Sequence, residues 1–147
     1  MKLSRTAGYA LVATLQLAQS DPSVPIPCSR LAAQGHMPER FLLQILRSLV
    51  THDILHSTRG VEGGYTLKRP AEDISLLDVI EAVDGPMKSV LPTFEGLPPK
   101  LLDQLCAALE DVTEASRQQL AEIKVSSLLP VAPKWHKSAA TAANGSG

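Results

Sequence analysis

Prolines and glycines divide the first 86 residues of this chain into short segments, and this division limits what the chain can fold into. Three prolines fall within residues 22–27, and Gly35, Pro38 and Pro70 follow. Proline lacks the N–H that a helix interior needs, and both residues favour element boundaries. The sequence therefore predicts several short elements first and one long uninterrupted element after Pro99.

Three short helices are predicted first, because apolar residues recur at spacings of three and four. They run from Ser4 to Gln19, from Pro27 to Gln34 with Gly35 as the stop, and from Pro38 onward. The second and third helices are joined by a short turn. This layout is typical of a helix-turn-helix.

A hairpin and a fourth helix are predicted next. Residues 54–58 and 65–68 read as two short strands around the glycine-rich residues 59–64. Ser75 begins the fourth helix, with Asp78 three residues on as in a capping box. Helix-turn-helix followed by hairpin is the order of a winged helix.

A fifth, long helix is predicted from Lys100 to Leu128, after a proline-rich linker. At 1.5 Å per residue it would span about 45 Å, which is more than so small a domain can cover. We expect its apolar stripe to meet a second copy of the chain, with folding back onto the first helices as the alternative. The predicted interface residues are Leu102, Leu105, Leu109, Val112, Ser116, Gln119 and Ile123.

Composition excludes several classes of protein. The chain is 44% apolar, which is enough for a core, and its 3% aromatic content argues against a binder of single-stranded nucleic acid. No apolar run approaches the roughly 20 residues of a membrane span, and the first residues do not resemble a signal peptide. We expect a cytoplasmic protein that does not bind membranes.

Charge is distributed unevenly along the chain. Residues 1–69 carry eight basic and four acidic side chains, a net charge of +4, whereas the remainder carries six and eleven, a net charge of −5. A basic first half indicates a partner that is a polyanion. Together with the winged-helix order, it favours double-stranded DNA.

The third helix and the hairpin supply the candidate DNA-reading side chains. A recognition helix enters the major groove through its N-terminal residues, where glutamine can pair with adenine and arginine with guanine or phosphate. Arg59 at the hairpin tip suits a narrow minor groove, and the glycines permit close approach to the DNA backbone. The candidates are Pro38, Glu39, Arg40, Leu43, Gln44 and Arg47 on the helix, with Thr58, Arg59, Gly60, Gly63 and Gly64 on the hairpin.

Three stretches resemble a known family. The run PERFLLQILRSLVTHDILHSTRGVEGGYTLKRP, the later ISLLDVIEAVDGP and the opening MKLSRTAGYAL are similar to the bacterial Rrf2-type winged-helix regulators, which include IscR, NsrR and CymR. The most specific piece is RGxxGGY. The resemblance covers residues 1–86 and implies a homodimer on a palindromic operator. It implies reading positions at the start of the third helix and a phosphate contact by Arg5. The implied wing positions are Arg59, Gly60, Gly63, Gly64 and Tyr65, and the implied reading positions are Glu39, Arg40 and Gln44.

The chain departs from the cluster-binding members of that family. Those members carry three cysteines between the fourth helix and the dimerisation helix, whereas residues 85–104 of this chain contain none. Lys100 and Asp103 stand where the family often has cysteine and histidine. An iron–sulfur cluster normally needs four good ligands. We therefore expect no cofactor.

Other candidate sites are weaker. Cys28 near a helix N-terminus is expected either to be a redox sensor with a lowered pKa or a small packing residue, and Cys106 to be interfacial or buried. His52 and His56 have metal-pair spacing for a helix, but they fall where a helix passes into a strand. We predict no metal site and no catalytic residues, and thus no enzyme.

The predicted fold is mainly α with a small β-hairpin. It comprises a winged helix-turn-helix domain (1–85), a linker or effector loop (86–99), a dimerisation helix (100–129) and a disordered tail (130–147). The predicted function is that of a homodimeric DNA-binding regulator with an unidentified small molecule or protein as effector. Repression is the more economical mode, since a bound dimer can block polymerase without further contacts. The alternative is an interaction adaptor that keeps the fold without specific DNA binding.

Overall fold

The computed structural model describes residues 1–92 and 95–130, and these residues form six α-helices and one antiparallel pair of strands. A single 3-10 turn, Ala71–Asp73, precedes the fourth helix. The elements are α1 (Arg5–Ala18), α2 (Cys28–Gly35), α3 (Glu39–Thr51), β1 (Leu55–Thr58), β2 (Gly64–Leu67), α4 (Leu76–Asp84), α5 (Pro99–Glu122) and α6 (Val125–Leu128). The predicted fold class, a winged helix-turn-helix with a long C-terminal helix, is confirmed.

Side-chain caps explain where two of the helices begin. The Ser4 hydroxyl accepts a hydrogen bond from the Ala7 amide at 2.9 Å and thereby starts α1. At α4, the Ser75 hydroxyl accepts from the Asp78 amide, and the Asp78 carboxylate accepts from the Ser75 amide, both at 3.0 Å. The capping box predicted from the sequence is therefore present, and it satisfies donors that a helix start leaves unpaired.

The core lies where α1 packs against α3 and α4. Ala7, Ala10 and Ala13 of α1 are fully buried, and such small side chains let the helices approach one another closely. The apolar side of α3 supplies the larger side chains. The fully buried ones in α3 are Leu42, Leu46 and Leu49. This packing turns the opposite, polar side of α3 toward solvent.

The long helix ends at Glu122, so the prediction that it continues to Leu128 is wrong. After it the chain is extended and pairs with the segment before α4: the Leu76 amide donates to the Ile123 carbonyl, and the Val125 amide donates to the Ile74 carbonyl. Val125 is only 1% exposed. The segment that follows α5 is thus anchored in the core of the winged-helix domain.

The two ends of α5 have different surroundings. Leu120 near its C-terminus packs with Ala7, Leu77 and Ile80 in a second apolar cluster. Earlier in the helix, the Arg117 guanidinium donates to the Glu81 carboxylate of α4 at 2.6 Å. The C-terminal part therefore folds back onto α1 and α4, as the alternative reading of the stripe expected.

The predicted disordered tail lies outside the described residues apart from Pro130. Within the described part of the chain, no helix is both long enough and apolar enough to cross a membrane.

Candidate nucleic-acid interface

The exposed side of α3 carries the predicted reading residues. Among these side chains Leu43 is half-buried, and the other five are exposed, namely Pro38, Glu39, Arg40, Gln44 and Arg47. They lie opposite the buried leucines, so the core holds the helix while its polar side remains available. The geometry is that of a helix that can enter a groove.

The turn between α2 and α3 differs from its prediction in one detail. Gly35 still belongs to α2, and His36 adopts the left-handed conformation with φ of 52°. Histidine is among the residues that tolerate this region better than most. Buried Met37 then closes the turn, since its amide donates to the Ala32 carbonyl at 2.9 Å. The turn fixes the direction in which α3 leaves α2.

The hairpin forms a short wing. Its loop contains a tight turn in which the Gly63 amide donates to the Gly60 carbonyl at 3.0 Å, with Val61 and Glu62 at the tip. Arg59 therefore flanks the tip instead of occupying it. Thr58, Arg59 and Gly60 are exposed, whereas Gly63, Gly64 and Tyr65 are half-buried.

A pairing that the sequence did not predict fastens the wing to the segment just before α2. The amides and carbonyls of Ile26 and Tyr65 exchange two hydrogen bonds of 3.0 and 2.9 Å. A Cβ on Gly64 would clash with the backbone of Ile26 and lie 2.7 Å from the Pro27 nitrogen. Only glycine permits this approach. The wing is thus hydrogen-bonded directly to the segment that leads into the helix-turn-helix.

Tyr65 lies at this junction. Burial raises the pKa of its phenol, the nearby Cys28 adds to the rise, and the charge of Arg47 opposes it. The side chain therefore stays neutral at physiological pH. Its two backbone bonds and its half-buried ring indicate that Tyr65 positions the wing.

Of the two roles considered for Cys28, a thiol with a lowered pKa does not fit the structure. Burial, and then the negative charge of Glu39, raise the pKa of the thiol, which donates a weak hydrogen bond to the Glu39 carbonyl at 3.6 Å. The thiolate is the reactive form of cysteine. The side chain packs against the core, in keeping with the alternative reading of a packing residue.

In the part of the chain that the structure describes, the salt bridges do not involve the candidate DNA-binding residues. Lys68 pairs with Asp53 at 2.5 Å, which lowers the pKa of that carboxyl, and Arg69 lies 3.7 Å from Asp78. Among the described residues, no salt bridge engages the arginines of α3 and the wing or the one at the start of α1. These exposed arginines are Arg5, Arg40, Arg47 and Arg59. Their charge is left for an external anion.

The predicted interface on α5 is uncovered in its N-terminal half. Leu105 and Val112 are 42% and 64% exposed, and the neighbouring Leu101 is 49% exposed. Ile123 lies just beyond the helix. Of the predicted set, Leu105, Val112, Gln119 and Ile123 are exposed, and Leu102, Leu109 and Ser116 are half-buried.

The donor side chains of this chain do not fit an iron–sulfur cluster. Its two cysteines, Cys28 and Cys106, lie on α2 and α5, and Cys106 is exposed in the single chain, so it is not buried and its predicted place at an interface stays a prediction. His52 ends α3 and bonds the Ser48 carbonyl, while His56 lies on β1. In residues 1–92 and 95–130, no three His, Cys, Asp or Glu side chains are grouped to hold a metal ion.

Comparison with known proteins agrees with this geometry. A family described as Rrf2, an iron-dependent transcriptional regulator, matches residues 3–130. A helix-turn-helix-type transcriptional regulator of Mycobacterium tuberculosis is 37% identical over 123 residues, covering 84% of this chain and 75% of the relative. CymR of Bacillus subtilis is 29% identical over 90 residues, covering 61% and 65%.

Solved structures of such regulators share the fold. The oxidised form of Staphylococcus aureus CymR superposes with a TM-score of 0.69 at 28% identity, covering 90% of this chain and 98% of that one. CymR of Bacillus subtilis superposes with a TM-score of 0.70 at 23% identity, covering 87% and 95%. The family match over residues 3–130 includes the helix-turn-helix, the wing and the long helix. The chain therefore belongs to the Rrf2 family of transcriptional regulators.

Proposed function

We propose that this protein is a homodimeric transcriptional repressor that binds a pseudo-palindromic DNA operator without an iron–sulfur cluster. The observation that carries the proposal is the set of exposed arginines on α3 and the wing, none of which is neutralised by a salt bridge among the described residues. DNA phosphates supply the missing negative charge. Because the target is DNA, we place the protein in the bacterial cytoplasm.

Base reading falls to the exposed residues of α3. Gln44 can pair with an adenine edge, and Arg40 or Arg47 with guanine. Glu39 can accept from a cytosine amine and penalises other bases at that position. Arg59 beside the wing tip reaches the minor groove, where the potential is most negative.

The second copy is inferred from the bare half of α5. Leu101, Leu105 and Val112 are exposed on one side of a helix, and a helix that pairs with its own copy covers such a stripe. Two-fold symmetry then presents two reading helices, so the operator contains two half-sites about one helical turn or more apart. Repression follows most simply, since a bound dimer blocks polymerase without further contacts.

A hydrogen-bonded contact at Glu81 connects the linker to α5, so an effector that binds the linker can act on the dimer helix. Glu81 of α4 accepts hydrogen bonds from the Met87 amide and from Arg117 of α5, both at 2.6 Å. One carboxylate therefore joins the beginning of the linker to both helices. A small molecule or protein that displaces the linker changes the angle between the two DNA-binding domains through this joint.

Arg59→Ala tests the DNA-binding part of the proposal. We expect weaker binding to duplex DNA and a salt dependence whose logarithmic slope falls by up to about 0.9, because one cationic side chain no longer displaces counterions from the DNA. Lys100→Ala removes an equal charge from the start of α5 and serves as the matched control. Unchanged binding by Arg59→Ala would leave the DNA-contacting role of the wing without support, whereas a wild-type protein that binds no specific duplex would favour the interaction adaptor.

The absence of a cluster has its own test. Protein purified without oxygen should be colourless and contain neither iron nor sulfide in stoichiometric amounts. A brown protein with both would contradict this part of the proposal alone and leave DNA binding untouched.

A further inference from the structure

A cleft of about 420 Å³ opens between α1, the loop that follows it, and the chain from β2 to the 3-10 turn. This volume is in the range of sites that hold one ligand. The exposed arginines Arg40, Arg47 and Arg59 do not line it. Its apolar lining includes Leu17, Ala18, Pro22, Val24, Leu67 and Ala71.

The cleft offers negative charge to a ligand. Lys68 and Arg69 also line it, but they are engaged by Asp53 and Asp78. Asp21 and Glu72 are exposed there, and no salt bridge within residues 1–92 and 95–130 engages either of them. Hydrogen bonds from Ser23 lower the pKa of Asp21, which keeps this carboxylate ionised. The cleft therefore suits an apolar group flanked by cations.

The chain itself carries such a group close by. Helix α6 packs against the 3-10 turn and α1, two of the elements that form the cleft, and Leu129 packs against the same apolar cluster as Ala71. The sequence then continues as Val-Ala-Pro-Lys-Trp-His-Lys over residues 131–137. Five residues from Pro130 reach up to about 17 Å when extended. Trp135 is within that span of the anchored end.

We propose that residues 131–137 dock in this cleft of their own chain, with Trp135 in the apolar slot and Lys134 and Lys137 facing Asp21 and Glu72. The proposal does not depend on DNA binding, because none of the side chains that line the cleft is one of the arginines proposed to contact DNA.

Fluorescence tests this docking directly, because Trp135 is the one tryptophan of the chain. In low-salt buffer, the full-length protein should emit at shorter wavelength than the same protein in guanidinium chloride and should be protected from acrylamide quenching. The double variant Asp21→Lys/Glu72→Lys should shift emission to longer wavelength and remove the protection. Low salt matters since exposed ion pairs are screened.

Exchanging the charges of the cleft and the tail tests whether these particular side chains face each other. The tail variant Lys134→Glu/Lys137→Glu should lose protection in the same way, and combining all four substitutions should restore it, as expected of side chains that face each other. The tail variant alters no residue of the core. Glu110→Lys, on the exposed surface of α5, is the matched control and should change nothing.

Three results would overturn the proposal. They are wild-type emission equal to that of the denatured chain, charge reversal in the cleft or tail without effect, and protection that disappears on dilution. The last result would mean that the tail docks in a second copy.

Discussion

The two halves of α5 carry similar apolar stripes, yet only one of them is covered by the rest of the chain. Leu120 in the C-terminal half is 8% exposed, whereas Val112, two turns earlier, is 64% exposed. The covered half ends in the pairing of Ile123 and Val125 with the segment before α4. The difference shows that one half of the helix packs on the winged-helix domain whereas the other half stays exposed, and it is the exposed half that we propose as the dimer surface.

Truncation in the covered half should produce the largest change. Leu120→Ala removes a side chain packed between α1 and α4, and we expect the free energy of unfolding to fall by about 2 to 5 kcal/mol. Urea denaturation at a fixed protein concentration measures this change. A loss below about 0.5 kcal/mol, typical of surface positions, would erase the distinction between the two halves.

Negative charges placed on the exposed half of α5 should prevent dimer formation. Leu105→Glu with Val112→Glu places two carboxylates in the exposed stripe, so we expect sedimentation equilibrium to report a mass near one chain where the wild type reports two. Helical content should be retained because neither side chain is in the core. Glu110→Lys alters the other side of the same helix and should leave the dimer intact. A dimer that survives the double variant would locate the partner surface elsewhere.

A pair of glycines extends the comparison to the DNA-binding domain. Gly64→Ala should destabilise the protein by about 1 to 3 kcal/mol, because the added methyl meets the backbone of Ile26 and Pro27. Gly8→Ala in α1 meets nothing within 4 Å and should stabilise the helix by about 0.5 to 1 kcal/mol. Thermal melts of both variants measure the contrast. Equal effects would mean that the wing is not held against α2.

The two cysteines provide the mildest test. Cys28 is half-buried with a raised pKa, whereas Cys106 is exposed on the bare half of α5. At neutral pH we expect iodoacetamide to modify Cys106 first, and Cys28 to react faster as the pH rises and its thiolate forms. Peptide mass spectrometry separates the two sites. Faster modification of Cys28 at neutral pH would contradict the packing role.

Local signals in the sequence were sufficient for most of the fold. Proline and glycine breaks, the capping box at Ser75 and the apolar spacing predicted the order of elements through α4. Helix-turn-helix geometry then followed, and it indicated which side of α3 faces solvent. These features depend on residues three or four apart, which is why they can be read without the rest of the chain.

Contacts between distant residues were the part that could not be predicted. Nothing in the apolar stripe indicates that the helix ends before Ile123. The cause is a distant contact, since the Ile123 carbonyl accepts a hydrogen bond from the Leu76 amide, nearly 50 positions earlier. Likewise, the pairing of Ile26 with Tyr65 could not be predicted, because Ile26 lies in a proline-rich connector that shows no strand pattern. The raised pKa of Cys28 depends on burial, which sequence position alone does not fix.

The central claim is that two copies of this chain read DNA together. Selection of bound sequences from random duplex DNA, with the purified protein at a stated salt concentration, tests it most directly. We predict enrichment of a two-fold symmetric motif with half-sites about one helical turn or more apart. Enrichment of a single unrepeated half-site, or of no motif by a folded dimer with cell extract added as a source of effector, would contradict the account.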